Sequence, residues 1–454
     1  MSDDPAFALA EHVARMRWPD LPRSAIDATV RDILDTFGCI LGGSGAPGID
    51  DIHALLEDWG GKAEARVPLM NHRLPAHAAA MMTASMGHAL DFDDTHDTAG
   101  SIHPGVSVLS AALAMTDRLG AVSGRDLVLA ITLGLDVSCR IALASTLDRG
   151  WHRTAAIGVF GATATCGKLL GLDAEQMRHA LGIAYAQAAG NRQCILDGAL
   201  TKRLQAGQAA SAGVFSALLA TRGFTGAHNI FNGRFGFLEL YQPDGADPSL
   251  LTQDLGTAFR GEGLSFKPYP CGRPLHAAID AALAARSVLG ITGAADIDTV
   301  TITADAANHA DQFGSGPVKR RPTQVVEAQF AQPFLVANAL VLGRVGIADV
   351  ASPNHPEVLA LSDRIEGKAA PDQPKGFLAI QVRHRDGRET TAVAVDPIGS
   401  PTRPLSPDQC AMKFLDNAAN ARTPLDQDAV ARTLALIGDL PALPDAACLL
   451  DPFA

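Results

Sequence analysis

Acid–base chemistry needs carboxylates and imidazoles within reach of one another, and one stretch of this chain crowds them together. Residues 88–105 hold four aspartates (Asp91, Asp93, Asp94, Asp97) and three histidines (His88, His96, His103) between two apolar runs. Such groups are costly to bury unless they are paired, bound to a metal or used in catalysis. Asp93, Asp94 and Asp97 spell D-D-x-x-D, which on a helix would line up carboxylates for a diphosphate-bound Mg²⁺ cluster. Prenyl chemistry of that kind needs an aromatic-lined cavity, and the chain has only three Trp and three Tyr and no second acidic motif. A calcium loop lacks its glycine, since His96 stands there. A third reading is acid–base chemistry, with aspartates orienting a histidine or a substrate. A solvated loop capped by Asp and Thr side chains is the plain alternative, and the segment alone favours it.

Three further segments carry candidates. His152 follows Gly150 and Trp151 just ahead of a helix start, near a positive dipole end. A simple cap with Trp151 packed beneath explains it equally well. The run after it, 161–168, approaches a P-loop but has one residue too many, and Leu169 replaces the hydroxyl residue, which excludes that reading. Lys202 and Arg203 stand at the mouth of an Ala-rich helix, where solvated cations are the bland account. Segment 265–276 is stiffened by prolines and presents Lys267, Arg273 and His276; a linker explains the prolines better than the cations.

The elements that must position these residues are mostly helices. Helical spacing or capping predicts helices over 5–16, 24–41, 76–90, 104–119, 123–145, 154–170, 173–189 and 205–222. The texture changes near Lys267. Strand patterns follow at 298–304 and at 377–383 and 391–395, the last two flanking the hairpin signal Asp386, Gly387. Helical runs 275–289, 325–342 and 355–365 lie among them, and the tail returns to helix at 406–420 and 426–436. The expected fold is therefore mainly α with a smaller α+β unit. Its parts are a first helical section over 1–265, an α+β unit over 266–397 and a C-terminal helical section over 398–454 that rejoins the first. A cleft at their junction is the expected ligand location.

Bulk composition narrows the class. A chain of 454 residues is too long for one ordinary core. With 47% hydrophobic and 19% charged residues it reads as well buried and soluble, and a net charge of −12 argues against nucleic acid or an anionic membrane surface as partner. No basic leader and no apolar run of bilayer length is read. The seven cysteines are scattered without a Cys-x-x-Cys pair, which points to reduced thiols in the cytosol and away from zinc or an iron–sulfur cluster.

Taken in order, the four segments resemble the MmgE/PrpD family, which includes 2-methylcitrate dehydratases, cis-aconitate decarboxylases and an iminodisuccinate epimerase. The resemblance covers nearly the whole chain. It is most specific at Leu90 through Thr95 with His103 and Pro104, at Gly150 through His152, at Thr201 and Lys202, and at Lys267 through Pro270; Val326 through Phe330 agrees too. It implies a large helical domain made from both chain ends, a lid domain between them, a homodimer, and no metal or organic cofactor. The implied active-site positions are Asp91, Thr95, His103, His152, Lys202 and Lys267, with His276 matching near the cleft and Arg273 read as an extra substrate cation. This sequence departs from the family pattern in three places. The interval from Thr95 to His103 is longer than in the decarboxylases, Gln205 stands where many relatives carry histidine, and no lid tyrosine is evident over 317–323.

What the resemblance implies is a cofactor-independent lyase that dehydrates or decarboxylates a small di- or tricarboxylate, with an epimerase of a succinate-type acid as the alternative on the same residues. His103 is the expected principal acid/base and His152 its counterpart. Asp91 is expected to fix a histidine tautomer and Thr95 to hydrogen-bond substrate. Lys202, Lys267 and Arg273 are expected to stabilise carboxylate charge. Asp93, Asp94, His96 and Asp97 are expected to be scaffold, capping or solvent-facing.

Overall fold

Helix starts written in the sequence set the frame. In a computed structural model, which describes residues 4–145, 148–314 and 316–453, the side chains of Asp4, Ser123 and Asp173 accept from the backbone N–H of Ala6, Asp126 and Gln176 and so open three helices. Pro104 occupies the first turn of the next, where its missing N–H costs nothing. Helices lie at Pro5–Arg15, Arg23–Gly42, Ala76–Gly87, Pro104–Leu119, Gly124–Ala144, Arg153–Leu169, Ala174–Tyr185 and Thr201–Ala220. The last begins four residues ahead of the expected 205, which puts Lys202 in its first turn. With 59% helix and 9% strand, the chain is mainly α with a smaller α+β part.

Small residues let these helices approach closely. A Cβ built on Gly161 would lie 2.6 Å from the carbonyl of Gly134, and one on Gly207 would lie 2.6 Å from that of Met81. Side chains there would push apart the crossings of Arg153–Leu169 with Gly124–Ala144 and of Thr201–Ala220 with Ala76–Gly87. The consequence is functional. One helix C-terminus, at His88, meets three N-termini, at His103, His152 and Thr201.

Two large hydrophobic cores form among the described residues. One gathers buried residues from Ala6 to Phe266 and again from Leu405 to Phe453, so both chain ends build it; the rings of Phe37 and Phe453 are 5.3 Å apart. The other runs from Tyr269 to Val382. In its sheet, Ile297–Ala304 pairs parallel with Glu366–Ala369 and antiparallel with Leu378–His384, which pairs in turn with Glu389–Val393. Helix His276–Leu289 backs this sheet, and Gln332–Leu342 packs in turn against that helix.

Several expectations are corrected. The helix expected over 325–342 is two, Val325–Gln329 and Gln332–Leu342, because Pro333 starts a new first turn. A short hairpin, Ala65–Val67 with Met70–Leu74, and the edge strand Glu366–Ala369 carry no clear alternation and escaped the reading. One helix, Gly124–Ala144, is apolar and long enough to cross a membrane, contrary to the sequence reading; 94% of its apolar window is buried in the first core, where Arg140 pairs with Asp136 at 2.7 Å. All seven cysteines are unpaired. The first three residues, read above for a leader, lie outside the described residues.

Candidate active site

The acid loop is not solvated. Asp91, Asp93, Asp94, Thr95, His96 and His103 are all buried, none more than 8% exposed. Asp91 turns the chain out of the preceding helix with φ at +52°, a left-handed conformation that costs a non-glycine residue about 1–2 kcal/mol. The turn sends successive carboxylates to different partners. Asp91 Oδ1 accepts from Lys202 Nζ at 2.9 Å and from Lys267 Nζ at 3.2 Å, and its carbonyl accepts from Lys267 at 2.9 Å. Asp93 Oδ2 instead takes Nδ1 of His88 at 2.7 Å. The expectation that Asp91 fixes a histidine tautomer is therefore corrected: Asp93 does so, and Asp91 gathers the two lysines.

His88, unassigned in the sequence reading, is the hub. Its Nε2 lies 3.0 Å from Lys202 Nζ and 3.3 Å from Nε2 of His152. The rings of His103 and His152 stand 5.2 and 5.3 Å from its own. His103 places Nδ1 2.5 Å from the carbonyl of Asp94, which makes Nδ1 the protonated nitrogen and leaves the Nε2 lone pair to act as base. Its backbone N–H donates to Thr154 Oγ1, joining two helix starts. The Thr95 hydroxyl and Nδ1 of His152 are buried and have no hydrogen-bond partner among the described residues.

Electrostatics follow from burial and from two ammonium groups. Burial alone would raise the Asp91 carboxyl, but Lys202 and then Lys267 hold it well below the usual carboxylate range. Burial would raise Asp93 too, and His88 followed by His103 brings it down instead. Burial first, then Lys267, pushes His103 down to about 3. His152 is lowered by burial and then by His88 and Lys202. Burial and the two ammonium groups thus bias the imidazoles toward their neutral, proton-accepting form, while three helix N-termini and the same ammonium groups make the floor favourable for an anion.

Two predicted residues sit apart from this centre. Arg273 is committed to Asp97 through Nε (3.0 Å) and Nη2 (2.9 Å), which corrects its reading as an extra substrate cation and gives Asp97 the scaffold role expected of it. Ser265 also donates to Asp97, and the backbones of Thr95 and Ser265 bond reciprocally, so these contacts pin the loop to the segment joining the two cores. His276 is fully buried behind Lys267, with Nε2 on the carbonyl of Cys271 and its ring 5.2 Å from that of Tyr269. Gln205 bonds Asn191 through both ends of its amide and braces the cleft wall. The cleft measures about 770 Å³ and is lined by Asn191, Arg192 and Leu196 on one side and Leu275, Lys319 and Phe330 on the other. The Phe330 ring also faces Lys202 Nζ, 5.9 Å from its centroid.

His88, Asp91 and Asp93 offer ligand atoms within 4.8 Å of one another, a spacing that suits a metal ion. That space is held by cations already. Lys202 Nζ contacts both Asp91 and His88, and Lys267 Nζ contacts Asp91. A divalent ion would meet two like charges at close range, so the residues fit lysine better than metal. The D-D-x-x-D carboxylates share no helix face; Asp97 stands at the start of the turn Asp97–Ala99, with its carboxylate on Arg273 and Ser265.

Buried titrating groups also give an expected stability profile. Burial lowers His88, His96, His103, His152 and His276. Each adds stability above its unfolded value of about 6.5 and loses it as pH falls toward the folded value. Burial and neighbouring carboxylates raise Asp32 and Asp94. Their contribution is full below about pH 4 and is lost as pH rises through the folded value. Below about pH 6 the five imidazoles outweigh the two carboxyls, so the melting temperature should climb with pH, level off near neutrality and then decline. Thermal melts across this range check it, and a maximum at about pH 5 or lower contradicts it.

Known proteins match this chain over both cores. Residues 8–248 match the MmgE/PrpD N-terminal domain and residues 269–436 the MmgE/PrpD C-terminal domain. The chain is similar to the cis-aconitate decarboxylase of Mus musculus, 27% identical over 438 residues, 92% of this chain and 87% of that protein. To the cis-aconitate decarboxylase of Aspergillus terreus (strain NIH 2624 / FGSC A1156) it is 26% identical over 407 residues, 84% and 82% of the two chains. To the cis-aconitate decarboxylase-like protein oryM of Aspergillus oryzae it is 30% identical over 289 residues, a stretch spanning only 60% of each. With both domains matched in order along the chain, the protein belongs to the MmgE/PrpD family.

Proposed function

We propose that the protein is a lyase that works without metal or organic cofactor on a small di- or tricarboxylate, removing water or CO₂ by moving a proton beside a carboxylate. The observation that carries this reading is the buried floor where Lys202 and Lys267 converge on Asp91 with His88, His103 and His152 around them. Relatives named for cis-aconitate, a polycarboxylate, support it.

A substrate carboxylate competes with Asp91 for the two ammonium groups. Proton loss from the adjacent carbon spreads negative charge onto that carboxylate, and fixed cations in a water-poor site stabilise the change at no reorganisation cost. In dehydration, His103 Nε2 takes the C–H proton, the C–H pair becomes the double bond, and the hydroxyl leaves as water with a proton from His152, which the negative charge of the bound substrate must first bring to its imidazolium form. In decarboxylation, the C–CO₂ bond breaks, its electron pair stays on carbon, and a histidine that has taken a proton from water as the anionic substrate bound donates it there. Thr95 offers its unpaired hydroxyl to a substrate oxygen. His88, oriented by Asp93, keeps its Nε2 lone pair toward Lys202 and His152.

Proton NMR in D₂O with a panel of citrate-, aconitate- and succinate-type acids tests the reading. Loss of water or CO₂ from one of them, undiminished by EDTA, is expected. Deuterium exchange with inversion and no net loss would move the assignment to the epimerase, and no turnover of any polycarboxylate would defeat it.

A further inference from the structure

Two consecutive carbonyls of the acid loop are each taken by a buried ammonium group. Lys267 holds that of Asp91 at 2.9 Å, and Lys413 holds that of Phe92 at 2.6 Å. Lys413 lies 321 residues further along the chain, on the helix Pro407–Ala419 that returns to the first core. We propose that Lys413 is a positioning residue of the active site, through which the returning C-terminal helix sets the catalytic loop. This rests on the lyase reading above.

The geometry assigns the role. Asp91 and Asp93 flank Phe92, and the left-handed turn at Asp91 is what sends one carboxylate to the lysines and the other to His88. The orientation of the Phe92 carbonyl fixes the peptide joining Phe92 to Asp93, and with it both carboxylates. Lys413 holds that carbonyl while its Nζ sits 4.2 Å from the centroid of the Phe92 ring, and its counter-ion is Asp35 Oδ1 at 2.6 Å, on the helix Arg23–Gly42. Lys413 and Asp35 are each 7% exposed and Phe92 is 3% exposed. Phe92 is further wedged among Cys39, Leu90 and Ile347, the last from the second core's side of the cleft. Buried ion pairs can often be replaced by apolar groups of similar volume without loss of stability. A purely structural pair needs only Asp35, whereas the second bond of Lys413 goes to the loop bearing both functional carboxylates.

The test separates the ion pair from the carbonyl bond. Asp35→Asn removes the counter-ion and leaves Lys413 on Phe92. Asp35→Asn with Lys413→Met removes both charges and the carbonyl bond together. After folding is checked by circular dichroism and melting, Asp35→Asn should keep kcat close to that of the unmodified chain. The double variant should lose about 10–100-fold in kcat, with KM little changed, as displacement of a catalytic group by about 1 Å does. Equal kcat in the two, or a loss confined to KM, overturns the proposal. Should the double variant not fold, Lys413→Met alone replaces it, since the buried Asp35 can take up a proton. A crystal structure of the Met variant gives a readout independent of turnover. The Phe92 carbonyl should be rotated and Asp91 relaxed from positive φ, and an unmoved 91–93 loop overturns the proposal even if the lyase reading has failed for want of a substrate.

Discussion

Lys202→Met should lower kcat/KM on the true substrate by about 10²–10³-fold, the cost of removing one preorganised charge from a developing anion. Methionine matches the length of the stem and removes only the charge and its donors. Lys202 Nζ bonds Asp91 at 2.9 Å and lies 3.0 Å from His88 Nε2, so its loss affects substrate charge and the histidine hub together. Asp91 keeps Lys267 on its carboxylate and carbonyl, which avoids an unpaired buried charge and lets the variant fold. Lys62, whose side chain is 83% exposed on a distant loop, is the control and should be silent when replaced. Near-normal kcat/KM in the folded Lys202 variant would remove this lysine from the mechanism.

His103→Ala should cost about 10²–10⁴-fold in kcat, the usual worth of a positioned acid/base. The bond from Nδ1 to Asp94 fixes which nitrogen is free, and alanine removes that base without disturbing the backbone N–H on Thr154. Burial and Lys267 push the imidazole down to about 3, so the free enzyme holds it ready to accept a proton. A base that weak takes a C–H proton poorly. Binding must strengthen it, and a substrate carboxylate beside Lys267 does so by offsetting the ammonium field on the ring. The drop should therefore appear in kcat, with circular dichroism unchanged; a variant with normal kcat would hand the base role to another group.

The parts of this site that were legible in sequence are those fixed by helix termini. Pro104 places the start of Pro104–Leu119, and Gly150 just ahead of the apolar run places that of Arg153–Leu169, and with them His103 and His152. Lys202 and Lys267 were found as cations where helix and linker signals met. The division of labour between Asp91 and Asp93 was not legible, because it depends on a positive φ at a non-glycine residue, which no periodicity announces. His88 lies inside the apolar run read as one helix over 76–90, although the helix stops at Gly87; its role comes from contacts 64 and 114 residues away. Burial of the acid loop could have been inferred from the two apolar helices enclosing it, had the solvated alternative been weighed against their length. Arg273 was legible as a cation but not as a partner of Asp97, 176 residues distant. In the fold, the hairpin Ala65–Val67 with Met70–Leu74 stayed hidden because its exposed positions are consecutive, giving no alternation to read.

The most direct measurement of the central claim is a crystal structure with a di- or tricarboxylate bound. The account predicts a carboxylate of the ligand within hydrogen-bond distance of both Lys202 Nζ and Lys267 Nζ, displacing one or both from Asp91, with the carbon beside it facing Nε2 of His103. A ligand held in the outer cleft against Arg192 and Lys319, with Lys202 and Lys267 still closed on Asp91, would contradict it.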